Sequence, residues 1–270
     1  MGINMSQAWI KVQTARSIER PTSDSFIKGI FKDFIEFHGD RYYGDDGAIM
    51  GGIASIGGQA VTVIGIVKGK SLEENQLRNY GMVHPEVYRK AHRLMKQAEK
   101  FQRPIITFID TPGAYPGIGA EERGQGSAIA ENLLLMSQVS VPVIAIVLGE
   151  AGSGGALALG VANQVWMMEN AIYSILSPEG FASILYKDAS KASEVVDQMK
   201  ITAQDLMELG IIDTIIKEPV ALQDALPLTF NKIEGMLTKT LASYSKMKPS
   251  AIRKEREMKF RKMGEVNYEK

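Results

Sequence analysis

Apolar residues recur at three- and four-residue spacing over residues 25–37, where Phe26, Ile30, Phe34 and Phe37 predict one face of a helix. Residues 2–20 read as a short amphipathic lead-in ending at Pro21, because proline pushes the residue before it out of the helical region. The segment 1–37 is therefore expected to be a helical lead-in. After a polar, glycine-punctuated loop (residues 38–47), the period changes to that of strands. Residues 49–56 and 59–67 flank Gly57-Gly58, a two-residue hairpin signal. A polar stretch, 68–79, precedes a helix over 85–101 with the stripe Val87, Ala91, Leu94, Met95, Ala98 and Phe101.

A βα alternation follows. Residues 104–109 are β-branched and aromatic, the mark of a buried strand. The turn from Asp110 to Gly117 then leads to a helix over 120–138. Residues 141–147 predict a second buried strand, followed by a glycine-rich turn, 149–155, and a helix of small residues to Ala162. Strands are expected at 164–168, 171–175 and 211–216, with helices at 178–186, 192–199 and 202–209. A last helix is expected over 220–247, interrupted at Pro227. No long linker divides the chain, so a single α/β domain over 1–270 is expected. No repeat of 20–50 residues is visible at the level of residue identity.

Composition narrows the classes. The chain is 45% apolar and 23% charged, as in ordinary globular proteins. Thirty-one Lys/Arg balance 31 Asp/Glu, which argues against a uniformly basic nucleic-acid binder. The positive charge gathers in residues 246–270, with nine Lys/Arg against four Asp/Glu. That tail reads either as a solvated terminal helix or as a docking face for an acidic partner. With no cysteine, the chain can hold neither disulfide nor thiolate metal site. No apolar run is long enough to span a membrane, and no signal-peptide pattern opens the chain, so a cytoplasmic setting is expected.

The 26 glycines cluster. A strand ending in glycines that open a helix leaves backbone N–H groups unpaired, and such groups bind phosphate or a developing oxyanion. Gly152-Ser-Gly-Gly155 is the best such turn and Gly113-Ala114 the second. The same small residues would also let a helix pack closely on the sheet. Asp110-Thr-Pro-Gly113 matches a GTPase tetrapeptide, yet no phosphate loop of the G-x-x-x-x-G-K-[ST] type precedes it. Nor is there a strand-linked G-x-G-x-x-G for a dinucleotide. Ser153 invites a serine-nucleophile reading but needs a base from His38, His84 or His92, the last expected on a solvated face. His38 with Asp40, Asp45 and Asp46 fits no defensible metal-ligand spacing, so no metal site is expected.

Taken together, the turns resemble a known family. Phe108-Ile-Asp-Thr-Pro-Gly-Ala-Tyr-Pro-Gly117, Ala120-Glu-Glu-Arg-Gly-Gln125, Gly149-Glu-Ala-Gly-Ser-Gly-Gly-Ala156 and Ser177-Pro-Glu-Gly180 resemble the α subunit of bacterial acetyl-CoA carboxylase carboxyltransferase. Ala15-Arg16, Arg20-Pro21-Thr22, His38-Gly-Asp-Arg41, Asn79-Tyr-Gly-Met82 and Tyr88-Arg-Lys90 extend the match. It covers roughly residues 8–245 in the family's order. Three positions depart from the family pattern: Val87 and Ala151 stand where glycine is usual, and Phe181 where cysteine is common. Ala151 is compatible with the turn only at negative φ.

The resemblance implies a crotonase-like (ClpP/crotonase) superhelix of ββα units. It implies transfer of the carboxyl group from carboxybiotin, held on a biotin carboxyl carrier protein, to acetyl-CoA, forming malonyl-CoA for fatty acid biosynthesis. It implies a separate β subunit carrying the zinc and most of the acyl-CoA contacts, in an α2β2 assembly that works with biotin carboxylase. Charge develops on oxygen in such a transfer, and fixed backbone donors meet it; losing one costs about 3–4 kcal/mol. Gly154 and Gly155 are the expected donors. Gly113, Ala114, Tyr115, Gly117, Gly152 and Ser153 are expected to line the pocket, with Arg123 steadying a carboxylate. The alternative on the same fold is a serine peptidase or acyl-CoA hydratase using Ser153 or Glu150.

Overall fold

The computed structural model describes residues 6–219 and 222–265. Near the start, the Ser6 side chain accepts the Trp9 N–H and caps α1 (Gln7–Arg16). Helix α2 (Ser23–Ile30) buries Phe26, Ile27 and Ile30. It stops there. Residues 32–36 form the edge strand β1 (Lys32–Glu36), antiparallel to β2 (Ile49–Ile56), so the helix expected through Phe37 ends seven residues early. Local spacing could not anticipate this, because the partner strand decides it. A methyl group on Gly52 would collide with the Ile35 carbonyl, and glycine there lets the two backbones pair.

Strand β2 turns into β3 (Gln59–Ile66) through Gly57 and Gly58, both at positive φ as the hairpin signal requires. The polar stretch contains α3 (Leu72–Leu77), capped by Ser71. Helix α4 (Pro85–Lys100) then buries Val87, Ala91, Leu94, Met95 and Ala98 against the sheet and leaves Phe101 exposed. Strands β4 (Ile105–Thr111) and β5 (Val143–Gly152) are buried along their whole length. Between them the expected single helix is two, α5 (Ile118–Glu122) and α6 (Gln125–Gln138), broken where Gly124 takes φ +81°.

Strand β5 runs four residues into the segment expected as a turn, and α7 (Ser153–Leu157) starts directly from it and ends five residues short of Ala162. Beyond lie β6 (Gln164–Met168), β7 (Ile172–Ser174), α8 (Pro178–Tyr186), α9 (Ala192–Val195), α10 (Ala203–Glu208) and β8 (Thr214–Ile216). Helix α11 (Leu226–Tyr244) carries Pro227 in its first turn, where a missing N–H costs nothing, so Pro227 opens the helix rather than interrupting it. Val220, where the helix was expected to begin, lies outside the described residues. Helix α12 (Pro249–Lys262) packs on α6.

The sheet order is β1-β2-β3-β4-β5-β6-β8, parallel from β3 onward. Strand β5 serves two ladders. Ile144 to Val147 pair with β6, whereas Glu150 to Gly152 pair with β7. Its register against β4 also slips, from Ile109↔Val147 to Thr111↔Ala151. The slip inserts a bulge at Leu148, Gly149 and Glu150, and such bulges re-aim the chain next to functional sites.

Candidate active site

The two glycine turns leave the carboxyl ends of β4 and β5, neighbours at the centre of the parallel sheet, and they meet. A methyl on Gly155 would stand 2.7 Å from the Ala114 nitrogen, 2.8 Å from the Gly113 carbonyl carbon and 3.0 Å from the Tyr88 hydroxyl. A methyl on Gly152 would collide with the Pro112 carbonyl. Both glycines are therefore needed for the turns to approach. Gly154 has room, with Ile129 Cγ2 at 3.6 Å from such a methyl.

The donors divide. Among the described residues, no protein acceptor takes the N–H of Gly154, Gly155 or Ala114. The Gly113 N–H is engaged: it donates to Thr111 Oγ1 at 3.0 Å, and that hydroxyl donates in turn to the Gly81 carbonyl at 2.6 Å. Gly113 thus shapes the turn, at φ +148°, while its neighbour Ala114 presents the free amide. Ala151 has the negative φ that its methyl demands, and the left-handed position falls on Ser153, at φ +52°. Ser153 is exposed, Gly154 half-buried, Gly152 and Gly155 buried.

Tyr115 and Gly117 lie one step out. The Tyr115 N–H donates to the Val83 carbonyl at 3.0 Å, tying the turn to the segment before α4, and its ring lies 4.4 Å from that of His84. Gly117 caps α5, and a methyl there would collide with the Tyr115 ring. Arg123 is already engaged. Its Nε donates to Glu86 Oε1 at 2.8 Å and its Nη1 to the Gly119 carbonyl at 2.7 Å, while its guanidinium covers the Tyr43 ring. It fastens α5 to α4, and the carboxylate it holds is that of Glu86. Ionisation of Glu86 is favoured in spite of burial, chiefly by Arg123.

The remaining polar candidates are separated. His38 Nδ1 pairs with Asp45 and His84 Nδ1 with Asp46, whereas Asp40 accepts the N–H groups of Tyr42, Tyr43 and Gly44. His92 is half-buried rather than solvated, and burial lowers its pKa. None of the three histidines bonds Ser153 among the described residues.

Sequence reasoning missed two features. The Tyr88 hydroxyl, beneath Gly155, is fully buried with no hydrogen-bond partner among the described residues, and burial pushes its phenol pKa up. The second is a line of alternating charge behind the turns. Arg16 bonds Glu179 at 2.6 Å and Glu150 at 2.7 Å, and Lys68 bonds Glu150 at 3.2 Å and Asp110 at 2.8 Å. Only the folded chain brings these residues together, from α1, the loop after β3, the strands β4 and β5, and α8.

A family model described as acetyl co-enzyme A carboxylase carboxyltransferase-like matches residues 3–264. A Clostridium botulinum chain named acetyl-coenzyme A carboxylase carboxyl transferase subunit alpha is 57% identical over 97% of this chain and 96% of its own length. A longer chain of Natranaerobius thermophilus, named for subunits beta/alpha together, is 59% identical over 94% of this chain and 42% of its own length. Solved structures share the crotonase-like fold at low identity. A chain of a Pseudomonas malonate decarboxylase hetero-tetramer superposes with TM-score 0.70 at 15% identity, covering 89% of this chain and 92% of its own. Transcarboxylase 12S gives TM-score 0.67 at 19% identity, covering 92% of this chain and 48% of that one. With turns, strand order and nearly the whole length in agreement, this chain belongs to the acetyl-coenzyme A carboxylase carboxyltransferase family.

Proposed function

We propose that this chain is the α subunit of a biotin-dependent acetyl-CoA carboxyltransferase, completed by a β subunit and active only with it. The observation that carries this reading is the close approach of Gly155 to the Ala114 nitrogen, which brings together two turns whose Gly154, Gly155 and Ala114 N–H groups have no acceptor among the described residues. Such donors stabilise charge developing on oxygen without a titrating side chain. Glycine at 155 is required by the packing, since a methyl there would meet the Ala114 nitrogen, the Gly113 carbonyl carbon and the Tyr88 hydroxyl. Carboxybiotin, presented on its carrier protein, supplies the activated carboxyl group that acetyl-CoA receives to become malonyl-CoA. In this reading Gly154 and Gly155 donate to the biotin oxygen, Ala114 lines the other wall, and Ser153 contributes backbone rather than hydroxyl. The β subunit supplies the zinc site and the main acyl-CoA contacts in an α2β2 assembly. Biotin carboxylase recharges the carrier, and the setting is the cytoplasm.

The peptidase and hydratase readings lack partners. Ser153 has no histidine bonded to it among the described residues, and Glu150 is held by Lys68 and Arg16. The test is reconstitution with a β subunit, following malonyl-CoA-dependent carboxylation of a biotin analogue. Activity should appear only in the mixture. Turnover by the isolated chain, or none by the folded complex, would overturn the reading.

A further inference from the structure

The bulge in β5 interrupts its ladder with β4, and side chains meet polar groups left on that side. The Glu150 N–H donates to Asp110 Oδ1 at 3.0 Å, and the Leu148 carbonyl accepts from Arg20 Nε at 2.7 Å. Arg20 is itself fixed by a two-pronged pair with Glu218, at 2.7 and 3.0 Å. Asp110 fits against the bulge because residue 149 is glycine: a methyl there would stand 2.6 Å from Asp110 Oδ1. Lys68, from the loop after β3, places one ammonium between Asp110 and Glu150. Asp110 stands three residues before Gly113, and Glu150 three residues before Ser153. One cation therefore ties together the roots of both turns.

We propose that Lys68 is a positioning residue for carboxyl transfer, cross-linking the two glycine turns through Asp110 and Glu150 and so setting the direction of the Ala114, Gly154 and Gly155 amides. The line of charge that continues through Arg16 to Glu179 explains motifs that the donor turns alone leave without a role. Asp110 and Lys68 are 2% and 16% exposed at the side chain, so their attraction is weakly screened. Burial disfavours the ammonium, but the Asp110 and Glu150 carboxylates outweigh it and hold the Lys68 pKa above its ordinary value. Donor geometry is the quantity at stake, because displacing a reacting group by an ångström costs about a hundred-fold in rate.

The kinetic part of this inference rests on the carboxyltransferase reading; the structural part does not. In Lys68→Met, exchange of the Glu150 amide hydrogen should quicken about ten-fold, while amides of α11 keep their rates. In the complex with a β subunit, kcat should fall about ten-fold or more with KM for the biotin analogue unchanged. Lys68→Arg should recover much of kcat, since a cavity of about 130 Å³ lined by Lys68, Asn75 and Tyr80 leaves room for a guanidinium. Should Lys68→Met not fold, the same two measurements on Lys68→Met/Asp110→Asn, which removes one charge of each sign, take its place with the same expectation. Wild-type exchange at Glu150 in a folded variant overturns the proposal, as does wild-type kcat. An inactive wild-type complex would instead defeat the functional reading and leave amide exchange to decide the role of Lys68.

Discussion

Gly155 and Ala114, from different strands, are in backbone contact: a methyl on the first would stand 2.7 Å from the nitrogen of the second. Neither backbone can retreat, because both turns are rooted in the buried strands β4 and β5. Gly155→Ala should therefore part the turns, lowering kcat about a hundred-fold, in line with a displaced or lost backbone donor. Gly154→Ala meets only Ile129, at 3.6 Å, and should keep activity within about three-fold, since an unstrained site usually accepts a methyl. Assay of both complexes checks the contrast. Equal losses would mean that the contact has no part in the reaction.

Ser153 offers a second contrast. Its φ of +52° is a conformation that favours glycine, and its exposed side chain accepts no bond among the described residues. Ser153→Gly should raise stability by about 0.5–1 kcal/mol, and Ser153→Ala should change carboxyl transfer only a few-fold. Thermal melts and the reconstituted assay measure the two effects. Abolition of activity by Ser153→Ala would restore the hydroxyl as a nucleophile.

The elements that sequence pattern disclosed are those whose cause is local. Gly57-Gly58 must turn because two successive positive φ values are needed, and α4 carries its own stripe and its own Pro85 start. Phe34 and Phe37 misled because they continue the spacing of Phe26 and Ile30, while the force that extends the segment is the pairing of Ile35 and Glu36 with Ile53 and Gly52 on another strand. At the site, the glycines were legible because close approach excludes other residues. Lys68 was not. A lone lysine in a polar stretch resembles a solvated one, and its meaning depends on Asp110 and Glu150 arriving from neighbouring strands. For Arg123 the sequence named a carboxylate partner in general, and the fold supplies one within the chain, Glu86 on α4.

Asp40 should govern part of the acid stability. Burial opposes its charge, but three backbone N–H groups and Arg89 at 2.8 Å outweigh this and lower its pKa to about 2. Because the folded value lies below the unfolded one, the stabilisation is full above roughly pH 4 and disappears as pH falls toward 2. It amounts to roughly 2 kcal/mol. Asp40→Asn should lose most of that at neutral pH and show a flatter stability profile between pH 4 and about 2 in urea titrations. An unchanged acid limb would separate Asp40 from this transition.

Arg256 decides how the basic tail is to be understood. It is 1% exposed, and among the described residues its guanidinium faces no carboxylate at bonding distance; it donates to the carbonyls of Met136, Val139 and Val141 and to Asn163 Oδ1, at 2.6 to 2.8 Å. Burial lowers its pKa to about 10, so it stays charged at neutral pH. The end of α6 and the entry to β5 leave those carbonyls without a strand or helix partner, and one planar cation closes them all. Helix α12 is thus a clamp whose outer face carries the exposed Arg253, Lys254, Arg261 and Lys262. Arg256→Met should cost about 3–5 kcal/mol, because it strands several buried acceptors at once. Arg256→Lys should recover little, since a single ammonium cannot follow the fork. Melting curves with limited proteolysis of α12 test this: a wild-type midpoint and an uncleaved tail in Arg256→Met would show that the helix is held by Ile252 and its other apolar contacts instead.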